Sequence, residues 1–296
     1  MATAGDASIT RALDGLLRAL DLEDAGDDRF EAQNELPGRF PNVFGGQLVA
    51  QALLAMSRTV DGQAPASLHA HFVASGDVEH PLALSVDRVR DGRSMSTRRV
   101  TTSQAARPVL IASASFETAW PASVRPVAPL PGPTPEELPT LQEWAQAAVA
   151  DRGEGAQRWI DRPPPLDVRI AEPPTFLSGA HATGTRCHWL RLPRPVAGDG
   201  GLHAVLLAYA SDFFLLDMAV RNHPDGLGWD ELLGSSLDHS IWFHRPVQFD
   251  GWHRYTQELL AVDGQRGLVR GSLHAADGHL VASTAQEVLV RPLAAR

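Results

Sequence analysis

Two polar residues stand where the surrounding sequence is apolar, and a third stands at the start of a strand. Asp212 lies in LLAYASDFFLLDMAV (206–220). Counted from Val205, Tyr209 and Leu216 follow at helical spacing, and Asp212 falls on the same stripe, three residues after Tyr209. Leu206, Leu207, Phe213, Phe214 and Leu215 make the other faces apolar as well, so the pattern predicts a helix over 202–220 that is buried nearly all round. An ionised carboxylate in such a place must be paired, hydrogen-bonded or put to use. Gln286, in the strand-like VASTAQEVLV, is an amide that can both donate and accept at a position whose neighbours are core-like. Ser236 precedes the strand LDHSIWFH and offers a hydroxyl. Taken singly, Ser236 reads as a turn residue and Gln286 as a satisfied core amide. If helix and sheet face each other, however, the three converge on one spot.

Other chemistries find less support. Gly234-Ser235-Ser236-Leu237-Asp238 approaches the G-x-S-x-G nucleophile elbow but lacks the second glycine and opens a strand rather than a helix. Cys187 sits in an alternating strand beside His188 and reads as a structural cysteine. His69 and His71 alternate along one strand, and His239 and His244 flank Trp242-Phe243, without an H-E-x-x-H or Cys/His quartet, so no metal or cofactor is expected. Asp217 and His223 are separated by one residue too many for the Asp and His pair of a hydratase-type site. All 26 basic residues are arginine, which removes P-loop and lysine Schiff-base chemistry.

The chain has 296 residues, 44% hydrophobic and 21% charged, with a net charge of −9. That describes a globular protein with ample core, no nucleic-acid partner, and a need for clustered arginines around any anionic ligand. No apolar run is expected to span a membrane, no secretory signal is visible in MATAGDASIT, and one cysteine suits a reducing compartment; the expected location is cytoplasmic. IASASFE (111–117) matches VASTAQE (281–287), and SLHAHF (67–72) matches LDHSIWF (237–243), both at an offset of 170 residues (117 to 287, 69 to 239). Between these anchors each half alternates apolar and polar residues, with hairpin signals at Asp91-Gly92, Asp263-Gly264 and Asp277-Gly278. Each half also has one long apolar helix upstream, near 45–60 and 202–220. The fold class is therefore α+β: a double hotdog, two tandem antiparallel sheets each wrapped around a central helix. The expected division is an N-terminal unit over 1–120, a proline-rich connection over 121–160 with a short helix near 138–150, and a C-terminal unit over 161–296 opening with strands at 165–171 and 186–192.

VFGGQLVAQAL, RDGRSMSTRRV, LLAYASD, DHSIWFHRP and GLVRGSLHAADGHLVASTAQE together resemble acyl-CoA thioesterase II, the double-hotdog TesB-type family, over residues from about 10 to 290. The resemblance implies that Asp212, Ser236 and Gln286 are the catalytic triplet, with serine where the family commonly has threonine. The family's Arg-Pro before Gly-Asp is Ala74-Ser75 here. It further implies an acyl-CoA substrate, a homo-oligomer such as a dimer or tetramer of double hotdogs, and hydrolysis by a water that Asp212 deprotonates and Ser236 and Gln286 orient. Gly45-Gly46, at a helix start, is a candidate to polarise the thioester oxygen, and close helix packing is the other reading of those glycines. Arg90, Arg93, Arg98, Arg99, Arg245, Arg266 and Arg270 are available to the phosphates, with no choice among them. An inactive acyl-CoA-binding double hotdog, a hotdog dehydratase or hydratase, and a purely structural oligomer are the alternatives.

Overall fold

The computed structural model describes residues 4–35, 40–118, 131–198 and 200–293. The N-terminal half contains α1 (Ala4–Ala19), β1 (Glu23–Gly26), β2 (Arg29–Ala32), α2 (Gly45–Ser57), β3 (Ala64–Phe72), β4 (Leu82–Arg90), β5 (Met95–Gln104) and β6 (Arg107–Glu117). After the first part of the proline-rich segment, whose residues 119–130 lie outside the described ones, come α3 (Leu141–Arg152) and α4 (Glu154–Asp161). The C-terminal half continues with β7 (Asp167–Ile170), α5 (Thr175–Ser178), β8 (Arg186–Arg191), α6 (Gly200–Ser211), α7 (Leu215–Arg221), β9 (Leu232–Ser236), β10 (Asp238–Phe243), β11 (His253–Asp263), β12 (Arg266–Ala275) and β13 (Leu280–Pro292).

Every strand pair is antiparallel, and the strands form one continuous sheet in the order β1-β2-β4-β5-β6-β3-β10-β13-β12-β11-β8-β7, with β9 on β13. The two halves repeat one another: β4-β5-β6-β3 in the first corresponds to β11-β12-β13-β10 in the second. They join edge to edge where β3 pairs with β10, His69 opposite Ser240 and Leu68 opposite Ile241. This is the double hotdog expected from the 170-residue offset, with its sheets side by side. Edge pairing satisfies two rows of backbone groups that isolated units would leave open. The three expected hairpins form. Two further tight turns use Asp27-Asp28 and Ala105-Ala106, non-glycine pairs at positive φ, and these carry no Gly signal in the sequence.

The central helices pack on each other between the sheets. Small side chains allow this: Ala50, Ala52 and Ala55 of α2 and Ala204, Ala208 and Ala210 of α6 are all buried. At Gly46 the approach is closest, and a Cβ there would collide with the Tyr209 carbonyl oxygen. The second helix departs from expectation. It is not continuous over 202–220: α6 stops at Ser211, residues 212–214 form a turn, Phe214 takes a left-handed conformation (φ 66°), and α7 begins at Leu215. Gly200–Arg221 is nevertheless apolar enough by length and composition to cross a bilayer, contrary to the expectation that no run was; 94% of its apolar window is buried inside this fold.

The break leaves carbonyl groups that a continuous helix would have satisfied, and β11 supplies the donors. The Tyr255 hydroxyl donates to the Ser211 carbonyl at 2.7 Å, and Gln257 Nε2 donates to the Phe213 carbonyl at 2.7 Å. Tyr255 is held in turn by Thr284 Oγ1 at 2.8 Å, and its burial pushes the phenol pKa up, so it remains a neutral donor. Gly271 makes room for the ring, because a Cβ there would collide with Tyr255 and lie 2.6 Å from Thr284 Oγ1. Neither neighbour can retreat without releasing the Ser211 carbonyl. Gly271→Ala is therefore expected to cost about 1–3 kcal/mol of folding stability, the usual range for overpacking a core. Equilibrium denaturant unfolding measures this, and a loss below about 0.5 kcal/mol, the ordinary scatter of surface changes, would contradict the account.

Candidate active site

The helix break places Asp212 one residue beyond the C-terminus of α6. There the partial negative charge of the helix end disfavours a carboxylate. The N-terminus of α2 provides the compensation. Phe44 caps that helix without a side-chain hydrogen bond, so the first turn of α2 keeps N–H groups unanswered by its own cap. The Gly46 N–H faces the Asp212 carboxylate and favours its charged form, and a Cβ on Gly45 would come within 2.8 Å of Asp212 Oδ2. The two glycines thus serve the close approach of helix to carboxylate, and the Gly46 N–H is directed at Asp212 rather than reserved for a substrate oxygen. Burial dominates the electrostatics: it raises the Asp212 pKa, against the opposing influences of His239, Gln286 and Gly46. Asp212 Oδ1 is buried and makes no hydrogen bond among the described residues.

Ser236 and Gln286 meet at the same place. Gln286 points inward from β13 and is fully buried, and its Nε2 donates to Ser236 Oγ at 2.7 Å. The amide also faces Asp212. Ser236 is not a turn residue, as its sequence neighbours suggested, but the last residue of β9. β9 pairs with β13 in the register Ser236–Val288, whereas β10 pairs with it in the register Ser240–Ala285. The one-residue mismatch is a bulge at Leu237-Asp238, pinned by the Asp238 carboxylate accepting from the Glu287 N–H at 2.7 Å. Bulges of this kind re-aim neighbouring side chains.

One residue of the cluster was not foreseen. His239, fully buried on β10, lies 2.6 Å through Nδ1 from Gln286 Oε1 and 2.8 Å through Nε2 from Ser211 Oγ. In the sequence it looked like any inward residue of an amphipathic strand. Its only distinguishing signal is that it falls at the repeat position where the first half has His69, which is exposed and contacts Ser240.

Asp212 and Ser236 line a cavity of about 950 Å³ whose walls are strongly aromatic, including Phe44, Phe72, Trp159, Phe176, Phe213 and Trp229. α3 and α4 extend the expected short helix near 138–150 into a two-helix cover that contributes Arg152, Arg158 and Trp159 to this cavity. Other sequence candidates are engaged elsewhere. Asp217 accepts from the Thr175 N–H at 3.0 Å, from Trp229 Nε1 at 2.8 Å and from Arg186, a structural hub rather than half of an Asp/His pair. Cys187 Sγ accepts from Arg254 Nε at 2.8 Å, as befits a structural cysteine. Of the arginines considered for phosphates, Arg98 is buried against Thr59 and Asp91, Arg266 pairs with Glu287 at 3.0 Å, and Arg270 pairs with Glu258. Among the described residues no group of three or more His, Cys, Asp or Glu is placed to hold a metal.

Comparison with known proteins shows the family. The sequence profile described as "Acyl-CoA thioesterase" matches residues 161–289, and that described as "Acyl-CoA thioesterase N-terminal domain" matches residues 36–117. The chain is 31% identical to acyl-coenzyme A thioesterase 8 of Mus musculus, covering 92% of this chain and 87% of that protein. It is 32% identical to acyl-CoA thioesterase 2 of Haemophilus influenzae, covering 94% and 98%. The chain belongs to the TesB-type acyl-CoA thioesterase family. Among solved structures it superimposes on a TesB protein of Mycobacterium avium subsp. paratuberculosis with a TM-score of 0.77 at 29% identity, covering 95% of this chain and all (100%) of that one. The acyl-CoA thioesterase II TesB2 of Mycobacterium marinum gives 0.74 at 30% identity, covering 95% and 98%.

In this thioesterase the two halves have diverged at the corresponding positions. Phe116, fully buried, stands in β6 where β13 has Gln286. The polar residues of α2 are committed to structure: Gln47 Nε2 donates to Asn34 Oδ1 at 2.8 Å, and Gln51 Nε2 donates to the Ala19 and Gln33 carbonyls, each at 2.8 Å.

The raised pKa of Asp212 has a thermodynamic consequence of definite sign. Between the ordinary aspartate value of about 3.9 and the higher folded value, the native state holds a proton that the unfolded chain has released, so stability falls as pH rises through that window. Asp212→Asn does not titrate. Its stability relative to the parent should therefore be greatest above the folded pKa and fall to a constant value below about pH 4. Thermal unfolding of both proteins across this range checks the sign; a parent that gains stability from Asp212 as pH rises would reverse it.

Proposed function

We propose that this thioesterase hydrolyses acyl-CoA to a free fatty acid and coenzyme A by direct attack of water, with Asp212 as general base. The carboxylate itself supports the reading most strongly. It is buried in the cavity wall, held by Gln286 and the Gly46 N–H, and retains in Oδ1 an acceptor that no described residue uses. A water between Asp212 and Ser236 gives one proton to the carboxylate as its oxygen bonds to the thioester carbon. The tetrahedral intermediate then expels coenzyme A thiolate, which takes up the proton. Ser236 and the Gln286 amide fix the water's direction. The Gly45 N–H, at the positive end of α2 on the cavity wall, is our assignment for the donor to the thioester oxygen.

Ser236 has no adjacent histidine base: His239 bonds to Gln286, so an acyl-enzyme on Ser236 finds no support. The aromatic walls suit the acyl group, while Arg158 at the cavity brings positive charge for the phosphates; Arg152 beside it pairs with Asp230 at 3.4 Å. An acyl-CoA-binding protein without activity would gain nothing from an aspartate raised in pKa by burial. Engagement of Asp217 with Arg186 and Trp229 disfavours a dehydratase built on Asp217 and His223.

Asp212→Asn should lower hydrolysis of an acyl-CoA by at least roughly 10²-fold, the scale of general-base catalysis. Ser236→Ala and Gln286→Ala should each lose less, and the double variant less than the product of the two, because both act on one water. Near-parental turnover by the Asp212→Asn protein, measured as thiol release, would overturn the mechanism. With Phe116 in place of Gln286 and no carboxylate on α2, the first half has no second centre; titration with a slowly hydrolysed acyl-CoA analogue should count one productive site per chain, and two would place the chemistry wrongly.

A further inference from the structure

The Gln286 amide can orient in two ways, and only one serves the mechanism above. With Nε2 towards Ser236 and Asp212, the amide presents hydrogens to a hydroxyl and a carboxylate. Rotated by half a turn, it presents its carbonyl oxygen to the carboxylate, which is repulsive, and leaves Asp212 without a side-chain donor. Which orientation prevails depends on what lies behind the amide. That group is His239 Nδ1, 2.6 Å from Gln286 Oε1. A protonated Nδ1 donates to Oε1 and fixes the productive orientation; an unprotonated Nδ1 accepts from the amide and inverts it. On the other edge of the ring, Nε2 lies 2.8 Å from Ser211 Oγ, whose own hydrogen goes to the Ala208 carbonyl at 2.8 Å. Ser211 is the residue at which α6 ends, so the same break that exposes Asp212 also places this hydroxyl beside the ring. His239 is fully buried and, like Gln286, is not among the residues lining the cavity; beside the influence of its charge on Asp212, its hydrogen bond reaches the site through Gln286.

We infer that His239 is a positioning residue of this thioesterase: its Nδ1–H locks the Gln286 amide so that Nε2 faces Asp212 and Ser236. The inference rests on the water-attack reading and adds to it a requirement on a residue outside the cavity.

The test uses substitutions of matched shape. His239→Asn keeps an N–H donor near the Nδ1 position, His239→Gln places its amide near the Nε2 position, and His239→Leu removes both. The Leu and Gln proteins should lose between about 10- and 100-fold in kcat, the scale of misplaced catalytic groups, with KM changed by less than about threefold, because the cavity is untouched. The Asn protein should stay within about threefold of the parent in kcat, and His239→Leu made in the Gln286→Ala protein should cost less than about threefold more, since its route of action is already gone. If the Leu protein fails to fold, the Asn and Gln proteins decide the matter. Nitrogen-15 spectra of the parent should show His239 protonated at Nδ1. Equal losses in the Asn and Gln proteins, an undiminished effect in the Gln286→Ala background, or a neutral ring protonated only at Nε2 would overturn the inference. Loss of activity in Asp212→Asn with His239→Leu unaffected would remove this positioning role alone, whereas a fully active Asp212→Asn protein would remove the reading beneath it.

Discussion

A carboxylate in the second half of the chain faces the N-terminus of a helix in the first, and much of the architecture exists to make that contact possible. Asp212 could not remain a charged carboxylate at the negative end of α6 without compensation, and α2 provides it because its own cap offers no side chain. The contact requires the helices to approach at Gly45 and Gly46, where a Cβ would meet Asp212 and the Tyr209 carbonyl. It also requires the two units to hold a fixed relation, which the β3–β10 pairing supplies through five residue pairs from Asp238–His71 to Trp242–Ser67. A single hotdog unit of this chain would own either the carboxylate or the helix terminus that stabilises it. Duplication is thus part of the site's chemistry as well as of its fold.

The same logic accounts for the asymmetry of the repeat. Only one of two pseudo-equivalent positions needs a polar cluster, and the other is free to become core. Phe116 fills in β6 the place that Gln286 holds in β13, while Gln47 and Gln51 turn from α2 to tie down the chain at residues 19 and 33–34. Burying an aromatic ring stabilises where an unsatisfied amide would not. The first half contributes stability, a wall and the helix end; the second half contributes the titratable groups.

What the sequence disclosed, and what it concealed, follows from the range of the forces involved. Alternation, hairpin glycines and the 170-residue offset are local or repetitive signals, and they were sufficient for the double hotdog. Asp212 and Gln286 were visible because a polar residue in an apolar run is costly, whatever its partners. The break at 212–214 was not visible, because Phe213 and Phe214 continue the apolar pattern and the donors that make the break tolerable, Tyr255 and Gln257, lie more than 40 residues away on β11. The bulge beside Ser236 depends on a register difference along β13 that no spacing in the chain records. His239 escaped for a related reason: an inward histidine acquires meaning only from the residues it touches, here Ser211 and Gln286. The helical cover of α3 and α4 lay in a segment whose prolines spoke for a linker.

Thioesters explain why so modest a site can suffice. The thiolate leaves readily, so the water attack we propose needs neither a nucleophile elbow nor a metal to force the bond; it needs one water held in line with the carbonyl carbon and relieved of a proton. Such a task rewards rigidity more than reactive power. The structure answers in kind. Phe214 is held in a left-handed conformation, the carbonyls of the broken helix are tied by Tyr255 and Gln257, and Gly271 exists to seat the ring that does the tying. The left-handed Phe214 and the lost helix hydrogen bonds oppose stability locally, the Tyr255 and Gln257 bonds offset them, and together they bear on where the Asp212 carboxylate lies. Such costs are tolerated where the surrounding core over-determines the conformation. Here that core is the interlocked pair of helices between two halves of a single sheet.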